Sequence, residues 1–61
     1  MMIGGSNRLL TTREAAEYLS VPLKTLQTRW RDWELPALRV GRGLRFRERD
    51  LEGWLDRNQA S

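Results

Sequence analysis

The sequence predicts a mainly α-helical fold with one small β-hairpin: two short helices joined by a tight turn, a two-stranded hairpin, and a closing helix. Three observations carry this. A capped, helically periodic segment opens at Thr11, and a second follows at Pro22 after about three connecting residues. After Pro36 the pattern switches to period two, and helical spacing returns at Glu48. A chain of 61 residues makes one domain, which buries roughly 60% of its unfolded surface. The expected organisation is a flexible leader over 1–7, an ordered domain over 8–57 and a frayed polar tail over 58–61.

The first helix is announced by Thr11-Thr12-Arg13-Glu14, where a Thr hydroxyl at the N-cap and a carboxylate three residues on each satisfy an orphan backbone N–H. Leu10 is placed to act as the hydrophobic staple. Ala15, Ala16 and Leu19 then share one face, with Arg13, Glu14 and Glu17 opposite, and the paired alanines suit a close helix crossing. Tyr18 lies at the margin of the apolar face, as a packing residue with a wet hydroxyl.

Ser20-Val21-Pro22 is the connection, with Val21 as its apolar plug and Pro22 suited to the first position of a new helix. Leu23, Leu26, Trp30 and Trp33 recur at helical spacing, leaving Lys24, Thr25, Thr28, Arg31 and Asp32 outside. The two tryptophans are expected to anchor the core rather than stack on bases. Two short helices joined this tightly make a helix-turn-helix.

Pro36 ends the helical region, because the residue before a proline is pushed out of the helical basin. In Ala37 to Arg47, Leu38 and Val40 alternate with Arg39, and Leu44 and Phe46 with Arg45 and Arg47. Gly41 and Gly43 flank Arg42 and permit a tight reversal. The expectation is a hairpin with an apolar inner face, Arg39, Arg45 and Arg47 outside, and Arg42 at its tip. The last helix, Glu48 to Arg57, sets Leu51, Trp54 and Leu55 on one face, with early acids and a late Arg57 that complement its dipole.

Composition narrows the function. There is no Cys and no His, which removes disulfides, zinc fingers, thiol nucleophiles and imidazole acid/base chemistry, and fits a reducing cytoplasm. Carboxylate pairs such as Glu14 with Glu17, Glu48 with Glu52 and Asp50 with Glu52 fall on exposed helix faces without a cleft, so they are read as solubilising surface. Gly41-Arg42-Gly43 is a turn, since no strand-to-helix transition follows it as a phosphate loop requires. Neither an enzyme, nor a metal or other cofactor, nor a small-molecule ligand, nor a membrane span is expected.

Eleven basic against eight acidic residues give a net charge of +3, and ten of the eleven are Arg, the side chain suited to bidentate contact with phosphate or guanine. The excess is local: Arg39, Arg42, Arg45, Arg47 and Arg49 face a single acid, Glu48, whereas residues 1–34 are nearly neutral. A helix-turn-helix followed by an arginine-bearing hairpin is a DNA-binding arrangement. On the second helix Lys24, Thr28 and Arg31 line up toward one groove, with Thr25, Gln27 and Arg29 flanking them. These six, with wing residues Arg39, Arg42, Arg45 and Arg47, form the candidate interface with double-stranded DNA. Thr28 and Arg31 are the pair expected to set which site is preferred. A protein-interaction module whose arginines meet an acidic partner is the alternative of another class.

These residues also carry a family resemblance. Leu9 to Pro22, Thr25-Leu26, Leu35 to Arg42, Arg45-Phe46-Arg47 and Asp50 to Leu55 together resemble the excisionase-type, MerR-like winged helix-turn-helix domain over about residues 9–57. The resemblance implies that Pro22 to Arg31 forms the recognition helix of the major groove, and that Arg39 to Arg47 forms the wing of the adjacent minor groove. This chain departs at Arg29, where many relatives carry an aromatic residue, here displaced to Trp30, and at Glu34, where a glycine often ends the recognition helix. The implied role is a recombination directionality factor: a non-catalytic protein that binds repeated sites cooperatively, bends DNA and recruits a tyrosine- or serine-type integrase. A small transcriptional regulator acting at promoter repeats is the second reading. With no dimerisation or sensor segment before Ser61, the domain is expected to act through neighbours on DNA.

Overall fold

The computed structural model describes residues 8–58; the leader over 1–7 and the last three residues of the expected tail lie outside them. The element order is β1 (Leu9–Thr11), α1 (Thr12–Leu19), α2 (Leu23–Arg29), β2 (Leu38–Val40), β3 (Gly43–Arg47) and α3 (Glu48–Arg57). Three helices thus pack with a three-stranded antiparallel sheet of order β1-β3-β2.

The capping box forms as the residues predict: Thr11 N–H donates to Glu14 Oε1 at 2.9 Å, and Glu14 N–H donates to Thr11 Oγ1 at 3.1 Å. The Thr11 N–H, joined by the Arg8 and Arg45 charges, holds the Glu14 carboxyl below the usual carboxylate range. A folded value below the unfolded one means that this stabilisation is complete above the ordinary glutamate range and is lost as pH falls through the lowered value. Glu14→Gln therefore flattens the acid limb of a melting-temperature profile against pH; an unaltered limb would count against the capping role.

Two left-handed residues that are not glycine make helix closures, one at the end of α1 and one in the turns beyond α2. Ser20, at φ 60, ends α1 while Val21 N–H donates to Ala16 O and Ser20 N–H donates to Glu17 O. Glu34, at φ 58, does the same further on: Leu35 N–H donates to Trp30 O and Glu34 N–H to Arg31 O. These paired bonds are Schellman closures, which satisfy carbonyls that a helix end leaves without partners. Pro22 stands at the N-cap of α2 rather than inside it: its backbone is extended, and its carbonyl accepts the first helical bond, from Leu26 N–H. Regular α2 ends at Arg29, so Arg31 lies in the hydrogen-bonded turns beyond the helix, two residues past the end of a helix that the resemblance carried through it. A side chain costs about 1 kcal/mol in the left-handed region. Glu34→Gly is accordingly expected to raise the melting temperature by about 5 °C, and a fall would refute the strain assigned to this position.

The sheet departs from expectation in two ways. Leu9–Thr11 is a third strand, pairing Leu9 with Arg47, Leu10 with Phe46 and Thr11 with Arg45. The hairpin register is also shifted: Val40 pairs with Gly43, Arg39 with Leu44 and Leu38 with Arg45. The loop is therefore Gly41-Arg42 alone, with Gly41 at φ 61 in the first loop position that a two-residue turn of this kind reserves for glycine. Directly paired residues share a face. Arg39 thus lies on the face of Leu44 and Phe46, while Leu38 and Val40 lie with Arg45 and Arg47, so the predicted division into an apolar face and a three-arginine face is corrected. Val40 is 47% exposed.

Leu10, Ala15, Ala16, Leu19, Leu26, Leu35, Phe46 and Leu51 form the core. Trp30 meets Phe46 edge-on with centroids 6.1 Å apart, and Trp33 stacks on Trp54 at 5.3 Å. Trp54 Nε1 donates to Trp33 O at 3.0 Å, which clasps the turn after α2 to α3. Trp30 and Trp33 are thus packing residues, as expected. On α3, Leu51 is buried but Leu55 is 38% exposed, so the predicted apolar face is narrower than its spacing suggested. Asn58 caps α3, its backbone N–H donating to Trp54 O and Leu55 O and its Nδ2 to Trp54 O.

Candidate nucleic-acid interface

The outer side of α2 is polar because its apolar stripe is spent on the core: Leu26 is buried and Leu23 packs against it. Lys24, Gln27, Thr28 and Arg29 are exposed, and Thr25 is half-buried. The Thr28 hydroxyl donates to Lys24 O at 3.0 Å and lies 3.2 Å from Thr25 O. With its hydrogen committed to the helix, Thr28 presents outward a methyl group and oxygen lone pairs. Arg29 lies 3.7 Å from Asp32 in an exposed ion pair, and the Arg31 guanidinium sits 5.2 Å from the Trp30 ring centroid. The exposed surface of α2 therefore combines an amide, an ammonium and a methyl group, the kinds of group that read base edges and phosphates.

In the hairpin the four wing arginines occupy different settings. Arg42 is exposed in the two-residue loop. Arg45 folds back along β3, its Nη1 donating to Leu44 O at 2.9 Å. Arg47, at the base, stands at the N-cap of α3 with Nη1 3.7 Å from Asp50 Oδ2. Arg39 is exposed on the edge strand and belongs to the opposite face. The tip thus carries Arg42, and the Arg45 guanidinium reaches back toward it over Gly43 from a backbone position opposite Leu38; the Trp30–Phe46 contact ties the end of α2 to the strand that bears Arg45.

The acids collect along α1 and α3, Glu14 among them near enough to Arg45 to feel its charge. Glu14, Glu17 and Glu48 line an open cleft of about 340 Å³ with Arg8, Leu10 and Tyr18, where the residue pattern predicted surface without a cleft. Burial pushes the Tyr18 phenol up, and the neighbouring Glu52, Glu48 and Asp56 carboxylates add to the shift. Cationic side chains at the hairpin tip and an acidic α1–α3 side give the domain a charge asymmetry that a net charge of +3 conceals. No helix among the described residues is long and apolar enough to cross a membrane.

Two helices joined through a three-residue connection, a hairpin with a cationic tip and a closing helix define a winged helix-turn-helix, a DNA-binding class of domain. A family model described as a helix-turn-helix domain matches residues 9–59, and the chain belongs to that family. No curated protein and no solved structure matches it. Of the residues singled out in the sequence, Lys24, Gln27, Thr28 and Arg29 share the exposed surface of α2, and Arg42 lies at the tip with the Arg45 guanidinium reaching back toward it. Arg31, Arg39 and Arg47 stand apart from those two groups. Sequence reasoning missed Gly43 as a partner of Arg45; the two-residue spacing that puts both on one face of a strand was the available signal.

Proposed function

We propose that the protein is an excisionase, a small non-catalytic protein that binds and bends specific DNA and turns integrase-mediated recombination toward excision. The observation that carries the DNA-binding part is the pairing of an exposed polar α2 with a cationic hairpin tip, fastened to each other through Trp30 and Phe46. Membership of a helix-turn-helix family that includes excisionase-like DNA-binding proteins supports the finer reading. α2 enters the major groove, with Lys24, Thr25, Gln27, Thr28 and Arg29 nearest the bases and Arg31 at its exit. The wing residues Arg42 and Arg45 follow the neighbouring backbone and minor groove, while Arg39 on the opposite face and Arg47 beside Asp50 stand outside this contact. Such a protein works in the cytoplasm on the nucleoid.

A single short recognition helix gives modest specificity, and cooperative binding to repeated sites raises it. Glu14, Glu17, Glu52 and Asp56 are the acids that would meet the arginines of a neighbouring protomer. Charge reversal at these four with cooperativity unchanged would rule them out.

Footprinting combined with a bending assay on the attachment DNA of a neighbouring integrase tests the proposal. Protection of repeated sites, a bend, and stimulation of excision are expected. Protection of promoter repeats without any effect on recombination would instead make the protein a transcriptional regulator using the same contacts.

A further inference from the structure

Gly43 opens β3 directly after the two-residue loop, paired with Val40, and unlike Gly41 it has no left-handed backbone to explain it. Glycine in a strand often marks a close approach by another group. Here that group is Arg45. The two residues share a face of β3, and Arg45 Nη1 lies 2.8 Å from the position a Gly43 Cβ would take, with Cζ at 3.8 Å. The same Nη1 donates to Leu44 O at 2.9 Å, so the guanidinium is folded toward the tip and held over the glycine. A Cβ at that distance has to displace something, and the movable object is the end of the Arg45 side chain rather than the strand.

We infer that Gly43 is a positioning residue that keeps a seat open for the Arg45 guanidinium, and that Arg45 so held is the preformed phosphate contact of the wing. This rests on the DNA-binding reading above. A guanidinium has five N–H donors; one is spent on Leu44 O, and the others remain to grip a phosphodiester oxygen pair. Arg47 shares its charge with Asp50, Arg39 faces the other side, and Arg42 hangs on the loop. Among the described residues, Arg45 alone of the four is both held on the strand and without a carboxylate at ion-pair distance. Ordering a long side chain in advance removes part of the entropic cost of binding, so one fixed guanidinium contributes more than a free one at the same charge.

The test compares the full chain with Gly43→Ala, Arg45→Ala and the double variant, measuring affinity for a mixed-sequence DNA duplex across a range of salt, with a melting curve for each protein. Gly43→Ala is expected to fold, to bind about tenfold more weakly, and to lose about 0.9 from the salt slope that one phosphate supplies. The double variant then binds no more weakly than Arg45→Ala. Wild-type affinity in Gly43→Ala, or a double variant that loses the product of the two single effects, would overturn the inference.

NMR of the free proteins separates this from the DNA reading. Slow rotation of the Arg45 guanidinium in the wild type and fast rotation in Gly43→Ala supports the seat, and equally fast rotation in both refutes it. A wild-type protein with a slow Arg45 that binds no duplex would refute DNA as the ligand and leave the seat standing.

Discussion

Phe46→Ala leaves the domain largely unfolded at room temperature. Phe46 is fully buried and the largest such side chain, it lies in the central strand β3, and its ring receives the edge of Trp30. Truncating a buried Phe costs about 3–5 kcal/mol, and loss of the aromatic pair adds about 1 kcal/mol. A single core in a chain this short supplies no more than about 3–5 kcal/mol in total. Disappearance of the cooperative thermal transition in circular dichroism is the expected result. As a control, Leu55→Ala, at a position 38% exposed, should change stability by about 0.5 kcal/mol or less. A Phe46→Ala protein melting close to the wild type would mean that the core is not where these residues put it.

The second large effect separates the two halves of the interface by how they fail. Arg42→Ala with Arg45→Ala removes two charges from the hairpin tip, so binding should weaken on every sequence. Each phosphate that goes unneutralised lowers the salt slope by about 0.9. Gln27→Ala and Thr28→Ala act differently, because an amide or a methyl group on a base edge discriminates sequence by about 1–3 kcal/mol. They should reduce binding to a site selected from random duplexes and leave non-specific binding almost unchanged. Arg31→Ala should change site preference less than Thr28→Ala, since Arg31 lies past the end of α2 and against Trp30, away from the position that a continuous helix would give it. Equal losses on selected and random DNA for the α2 variants would remove the recognition role from this helix.

The parts of the fold visible in the sequence are those set by local chemistry. The Thr11–Glu14 capping box, the Ala15-Ala16-Leu19 buried face and the Glu48–Arg57 helix each depend on residues within about a turn of one another, and each is found as the spacing dictates. What the sequence conceals is set by partners far along the chain. Leu9–Thr11 is too short to show a period, and becomes a strand because β3 offers it an edge.

The hairpin illustrates the difference most clearly. Alternation fixes which residues of one strand share a face, but the phase between two strands is set by loop length. A loop of Gly41, Arg42 and Gly43 would pair Val40 with Leu44 and gather all the apolar residues on one side. The two-residue loop pairs Val40 with Gly43 instead, moving Arg39 across the sheet to the face of Leu44 and Phe46. The end of α2 was hidden for a related reason: the stripe Leu26-Trp30-Trp33 continues past the helix because hydrogen-bonded turns keep Trp30 and Trp33 against the core. The candidate site was therefore legible as a set of residues and not as an arrangement.

The central claim is that α2 and the hairpin tip together form the DNA-binding surface, with the acidic α1–α3 side turned away. Titrating the labelled protein with a DNA duplex at low salt, and following every backbone amide by NMR, tests it directly. Shifts concentrated at residues 24–31 and 41–45, with Glu17, Glu52 and Asp56 undisturbed, are the predicted result. Shifts centred on the α1–α3 cleft, or no shift anywhere, would contradict it.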